Sequence, residues 1–287
     1  MNPEPRSAED YDNRATQAVK MVLIELGQVL GDYLDSIVVV GGVVPWLLLP
    51  DAAIPHVGTV DVDLALNPQK LQRETRYADM VRLLERSGFE RQVDDLGVFQ
   101  MRKKVSVDAG EPVSVTLDLL KPLKPKTKRN KPALIPDFRV QDIPGAEFAL
   151  ANPQWLNLEG IMPDGRNNTV QLPITNLDAF LVMKGYALNG RDKPKDSYDI
   201  YYVVKHFPEG IEALATLCQP LLNQQKAKDG FQYIADKFAQ LEGYGAQSVR
   251  EFLKDTLTSP EEVEFVQRDA FEQVNALLQA LGFEPQN

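Results

Sequence analysis

Ile37-Val38-Val39-Val40-Gly41-Gly42, followed after a short connection by Thr59-Val60-Asp61-Val62-Asp63-Leu64-Ala65-Leu66, is the stretch that decides the fold. The four β-branched or apolar residues from Ile37 read as a short buried strand. The glycine pair stops it, and Val43 to Leu49 reads as a short helix entered by way of Pro45. Asp51 to Gly58 is a loop. Val60 to Leu66 is then a second strand in which Val60, Val62, Leu64 and Leu66 oppose Asp61, Asp63 and Ala65, so that one face is apolar and the other acidic. Alternation points Asp61 and Asp63 the same way, roughly 6 to 7 Å apart, within reach of one bridging metal ion.

The flanking sequence extends this into an α+β chain. Arg14 to Leu30 has the spacing of an amphipathic helix ending at Gly31, and Gln69 to Ser87 reads as a second helix capped by Gly88. Val98 to Lys104 and Val113 to Leu120 read as strands joined by an Asp108-Ala109-Gly110 turn. Residues 137–172 hold short strand-like pieces and turns, and from Asn176 onward nearly everything reads as helix. The expectation is a mixed sheet with covering helices over residues 1–174 and a helical domain over 175–287.

Bulk properties narrow the function. A chain of 287 residues with 44% hydrophobic content can bury one large core or two modest ones. The formal charge of -10 and pI near 4.9 argue against wholesale wrapping of nucleic acid, which calls for a basic footprint. From His206 onward thirteen acids stand against six bases, so seven of the ten net negative charges belong to the helical tail. Any RNA contact is therefore local. The basic stretch from Lys121 to Lys131, with Lys124, Lys126, Lys128 and Arg129 and no acid, is the candidate, against the blander reading of a solvated loop. A single Cys218 forms no internal disulfide and reads as a buried filler. The start of the chain lacks the pattern of a signal peptide and no apolar run would span a bilayer, so the expected address is the cytoplasm. His56 and His206 have no metal-ligand spacing, which argues against zinc or a histidine nucleophile.

Two constellations carry chemistry. Asp61 and Asp63, joined by Asp118 at the centre of the strand Val115-Thr116-Leu117-Asp118-Leu119-Leu120, offer the hard oxygen ligands that Mg²⁺ prefers, or a metal pair and a general base. Gly41-Gly42, between strand and helix, can bring backbone N–H groups up to a phosphate. An isolated Asp-x-Asp or Gly-Gly is more often plain surface or a tight turn; their order along one chain makes the combination informative. The second constellation is Leu177 to Arg191, a helix with Lys184 and Arg191 on one face, followed by Asp192-Lys193-Pro194-Lys195-Asp196-Ser197-Tyr198-Asp199-Ile200, where Asp196 and Asp199 share a face. Acids in a first helical turn also answer the macrodipole, and the cations could form a surface lattice with them.

Together these blocks resemble the polymerase-beta-like nucleotidyltransferases and, through Lys184 and the Lys195-Asp196-x-x-Asp199 block, the AbiEii/AbiGii-type toxins of bacterial toxin-antitoxin and abortive-infection systems. The likeness runs from about Val38 to Val204. It implies a nucleotidyltransferase fold over 1–174 and a helical domain over 175–287 that completes the cleft. It implies Mg²⁺, with Mn²⁺ as a substitute, on Asp61, Asp63 and Asp118. A nucleoside triphosphate would be met by Gly41, Gly42, Thr59, Lys184, Arg191, Lys195, Asp196 and Asp199, with Lys184 among the catalytic residues. The implied reaction moves a nucleoside monophosphate to an acceptor, RNA such as tRNA or a protein, with a cognate antitoxin as partner. The alternatives are a small-molecule nucleotidyltransferase of the antibiotic-modifying type and an inactive binding module on the same fold.

Overall fold

The computed structural model describes residues 6–71, 76–91, 96–123 and 140–284. The chain gathers into two compact units, one made of Asn13–Val44 and Gly58–Asn176, the other of Asn2–Asp12, Pro45–Val57 and Leu177–Asn287.

In chain order the elements from Asn13 to Ile174 are α1 (Asn13–Val29), β1 (Ile37–Val40), α2 (Val44–Leu48), β2 (Asp61–Leu66), α3 (Pro68–Leu71), α4 (Arg76–Arg86), β3 (Gln100–Val105), β4 (Val113–Pro122), β5 (Gln141–Ile143), α5 (Ala146–Ala151), β6 (Gln154–Ile161) and β7 (Asn167–Ile174). Among the described residues the strands form one mixed seven-stranded sheet in the order β3-β4-β2-β1-β7-β6, with β5 beside the end of β4. The expected α+β class is what the chain adopts. β1 is buried along its whole length, as four consecutive apolar residues require, and lies between antiparallel β2 and parallel β7. α1 turns Val19, Val22, Leu23 and Leu26 inward. It also packs closely: a Cβ at Gly27 would stand 2.7 Å from Val170 Cβ on β7.

Residues 140–172, the described part of the stretch expected as short pieces, differ from that expectation. β6 and β7 are eight-residue strands of a regular hairpin turned at Asp164-Gly165, paired from Gln154↔Ile174 to Ile161↔Asn167, and a helical turn, α5, precedes them. The hairpin lies at the rim of the sheet, so much of it stays exposed. Its Asn157, Glu159, Asn167, Asn168, Thr169 and Gln171 blur the apolar alternation from which a strand is read. The helix expected over Gln69 to Ser87 is described as α3 and α4, and Gly88 follows with φ 85°. Lys121 stands one residue before the end of β4 and pairs with Asp142 on β5; Lys124 to Lys131 lie outside the described residues.

The second unit is helical: α6 (Leu177–Gly190), α7 (Pro194–His206), α8 (Ile211–Cys218), α9 (Gln225–Lys237), α10 (Tyr244–Leu253) and α11 (Pro260–Ala280). Pro194 occupies the first turn of α7, where a missing N–H costs nothing. Ten consecutive residues of that helix, Lys195 to Val204, are buried, so α7 is enclosed on every side. Cys218 is buried as expected. α6 and α9 cross where both lack a side chain: a Cβ on Gly185 would stand 2.0 Å from the Gly230 carbonyl oxygen.

Backbone, unlike a side-chain tip, cannot swing aside. Gly185→Ala is therefore expected to destabilise the protein by about 1–3 kcal/mol despite alanine's better helix propensity. Urea unfolding checks this; a variant as stable as the parent would show that the α6–α9 crossing relaxes without cost.

Candidate functional site

The acidic face is assembled in the first unit by strand register. β2 and β4 run parallel with Asp61 opposite Thr116 and Asp63 opposite Asp118, and antiparallel β3 sets Gln100 opposite Asp118. Register partners project to one face of a sheet, so Asp61, Asp63 and Asp118 share that face while Val62, Leu64, Leu117 and Leu119 are buried on the other. Each carboxylate has a neighbour that orients it. The Thr59 hydroxyl, itself buried, donates to Asp61 Oδ1. Gln100 Nε2 donates to Asp118 Oδ1 at 2.8 Å.

Asp63 is set against the glycine turn. Gly41 opposes no side chain of its own, has φ 78°, and a Cβ there would fall 1.8 Å from Asp63 Oδ2. Only glycine satisfies both the left-handed backbone and the space the carboxylate fills. Gly41 and Gly42 form a tight turn with Val43 that leads into α2. That helix has only five residues. What the turn offers an anion thus comes from its local N–H groups and not from a developed helix dipole.

Among the described residues no three His, Cys, Asp or Glu side chains converge closely enough to hold a metal ion. The donor chemistry still suits a hard divalent cation, because Asp61, Asp63 and Asp118 present carboxylate oxygens on one face of the sheet. Mg²⁺ commonly takes only one or two protein carboxylates and completes its shell with water and substrate phosphates.

The second constellation folds within the second unit and is a buried ionic cluster. Lys184 Nζ on α6 lies 2.7 Å from Asp196 Oδ1 and 2.7 Å from Asp199 Oδ2, both on α7. Arg191 grips Asp196 with Nε on Oδ2 at 2.7 Å and Nη2 on Oδ1 at 3.0 Å. Lys195 donates to Asp199 Oδ1 at 2.7 Å, one turn away on the same helix, and its ammonium stands over the Tyr11 ring. The side chains of Lys184, Lys195, Asp196 and Asp199 are each less than a tenth exposed, whereas Arg191 is 54% exposed. The structure thus brings together Lys184, Arg191, Lys195, Asp196 and Asp199, and commits both lysines to carboxylates.

The sequence reading missed His56. Its Nε2 donates to Asp199 Oδ1 at 2.9 Å, its ring packs on Tyr198 and Tyr202, and it is itself buried. The Val57 N–H donates to the Tyr198 hydroxyl at 3.3 Å and the Tyr202 hydroxyl donates to the Ile54 carbonyl at 2.8 Å. Three α7 side chains therefore hold the loop that runs into Thr59. The missed signal was scarcity: a chain with two histidines carries one of them five residues before its Asp-x-Asp strand.

Charge states follow from the surroundings. Burial would raise the pKa of Asp196, but Lys184 and Arg191 outweigh it and hold the carboxyl at about 2. Burial opposes ionisation of Asp199 too, and Lys184, Lys195 and His56 together keep it well below the carboxylate range. For His56 burial prevails, with Lys195 adding to it, and the pKa falls to about 4 against the pull of Asp199. The imidazole is neutral at pH 7, with its proton on the nitrogen that faces the carboxylate.

No protein-family model matches the chain, and no curated protein matches it. Among solved structures the chain is similar to an antigenic nucleotidyltransferase-like protein from Paracoccidioides brasiliensis, at 16% identity over 95% of each chain and a TM-score of 0.41. A likeness of that degree carries no argument about activity.

A histidine with a folded pKa depressed from 6.5 to about 4 makes the unfolded chain the better proton acceptor between those values. Stability contributed by neutral His56 is present above pH 6.5 and lost as pH falls toward 4, by roughly 2–4 kcal/mol. Asp196 adds its own loss only below about pH 4, as the pH falls toward its folded value of about 2. His56→Gln retains a donor for Asp199 without the titration, so its urea midpoints at pH 7, 5.5 and 4.5 are expected to vary less than the parent's. Parallel pH profiles would remove His56 as the source.

Proposed function

We propose that the protein is a nucleotidyltransferase that uses Mg²⁺, or Mn²⁺ in its place, to move a nucleoside monophosphate from a nucleoside triphosphate to an acceptor hydroxyl. One observation carries this reading. Asp63 and Asp118 face each other in register on neighbouring parallel strands, with Asp61 on the same face and Asp63 pressed against the left-handed turn at Gly41. Carboxylates for a cation and backbone N–H groups for a phosphate are thereby side by side.

In the reaction an acceptor oxygen forms a bond to the alpha phosphorus as the bond to the bridging oxygen breaks, and pyrophosphate leaves with the electron pair. Asp61 and Asp63 would hold the ion, which when bound supplies Lewis-acid stabilisation of charge on the phosphoryl oxygens. Thr59 fixes the orientation of Asp61. Asp118, steadied by Gln100, would hold a second ion or take the acceptor's proton as general base. Gly41 and Gly42 receive phosphate through N–H groups. Among the charged cluster we assign phosphate neutralisation to Arg191, its solvent-reaching member, with Lys184, Lys195, Asp196 and Asp199 holding that guanidinium in place.

The acceptor we favour is RNA, met by the basic stretch from Lys121 to Lys131, since an acidic chain that binds RNA needs such a local footprint. Resemblance to the AbiEii type extends the proposal to a toxin restrained by a cognate antitoxin. That role predicts growth arrest on induced expression and its absence with Asp63→Ala.

The decisive experiment incubates the protein and Mg²⁺ with each labelled nucleoside triphosphate and with bacterial RNA, bacterial protein or an aminoglycoside. Transfer to RNA is expected, with Asp63→Ala and Asp118→Asn reducing it by about 10²-fold or more. Gly41→Ala, which must displace the Asp63 carboxylate, is expected to reduce it as well. Transfer that survives Asp63→Ala would overturn the assignment, and label on the aminoglycoside alone would replace RNA by a small molecule.

A further inference from the structure

The two edges of the sheet are treated differently. At the β3 edge stand Arg102 and Lys104, and Glu90 bridges Arg102 through reciprocal N–H···O bonds of 2.8 and 2.9 Å, so part of the edge is already paired. Positive charge and a covering segment are what keep a strand edge from pairing with another chain. β6, at the other end, reads Gln154-Trp155-Leu156-Asn157-Leu158-Glu159-Gly160-Ile161, with no lysine, arginine or proline. Trp155 is 49% and Ile161 52% exposed.

Hydrogen-bond phase fixes which β6 groups face outward. The Met162 N–H donates to the Arg166 carbonyl at 2.9 Å, in the same register as the strand pairs. Bonded pairs alternate in an antiparallel ladder, so even-numbered residues of β6 bond to β7. The main-chain N–H and C=O groups of Trp155, Asn157, Glu159 and Ile161 point away from the sheet. We propose that β6 is the pairing edge of a homodimer, in which two copies align antiparallel about Leu158.

That register is self-complementary in three respects. It sets Trp155 opposite Ile161 of the other copy and Ile161 opposite its Trp155, so each exposed apolar side chain meets the other. Asn157 falls opposite Glu159, an amide donor against a carboxylate, and like charges are not juxtaposed. The residues that meet as bonded pairs are the odd-numbered ones whose groups point outward, and Leu158 meets itself in a non-bonded pair, where side chains come closest. Pairing through an edge is isologous and closes after one contact, and the guarded β3 edge does not extend it. Eight residues per copy make a small interface, so association in the micromolar range is the expected strength.

Analytical ultracentrifugation of the full chain over about 1–100 µM tests this. The expected result is a concentration-dependent shift from 32.1 kDa toward twice that, 64.2 kDa. Asn157→Pro removes an outward N–H without touching the β6–β7 ladder, and Trp155→Lys with Ile161→Lys charges the exposed pair; each is expected to weaken dimerisation at least tenfold. Far-ultraviolet dichroism and melting unchanged from the parent establish that the variants are folded. A parent chain that stays at 32.1 kDa throughout, or a dimer that both folded variants retain, overturns the proposal. This test is independent of nucleotidyl transfer.

Discussion

Asp199 carries a full charge on a side chain with no solvent exposure, and α7 can be enclosed on all sides only if that charge is met. Each oxygen is accounted for: Oδ1 receives Lys195 and His56, and Oδ2 faces Lys184. An ion pair so deep is weak evidence for net stability, because desolvating the ions offsets much of their attraction. What it supplies is specification. One arrangement of α6, α7 and the loop ending at Val57 brings all four groups into contact, and any other leaves a buried charge uncompensated. The neutral state of His56 belongs to the same constraint, since two buried ammonium groups already surround the carboxylate.

The acidic face rests on a different economy, built from register and one missing methyl. Parallel pairing of β2 with β4 is what makes Asp63 and Asp118 neighbours, and the bare Gly41 lets the Asp63 carboxylate lie against main chain. Side chains orient the other two carboxylates, from Thr59 and Gln100. Strand register thus sets where each acid stands on the face. The position of each acid is therefore only as adjustable as the strands are.

Local pattern made much of this legible. Ile37 to Val40, Asp61 to Leu66 and the helix from Asn13 announced themselves because buried strands and amphipathic helices impose periodicity on neighbours in sequence. So did the shared face of Asp196 and Asp199, which is a matter of helical spacing. The β6–β7 hairpin was obscured because a half-exposed rim tolerates polar residues where a strand pattern wants apolar ones. His56 and Gln100 were invisible for another reason. Their partners, Asp199 and Asp118, lie 143 and 18 residues away, and only tertiary pairing defines the relation. The burial of Lys184 and Lys195 likewise follows from the enclosure of α7, which their own spacing does not encode.

Unit two is assembled from three stretches of chain, and the segment Pro45–Val57 that carries His56 is separated from α6 and α7 by most of the sheet-forming sequence. During synthesis that segment emerges early and waits. Strands β2 through β7 have to leave the ribosome before Asp199, Tyr198 and Tyr202 exist to receive it. Until then Ile54 and His56 belong to an unfinished loop, and closing it spends the entropy of a very long ring. A fragment beginning at Leu177 would hold every helix from α6 to α11 and still leave Asp199 short of one of its donors, so the helical unit is a property of the whole chain.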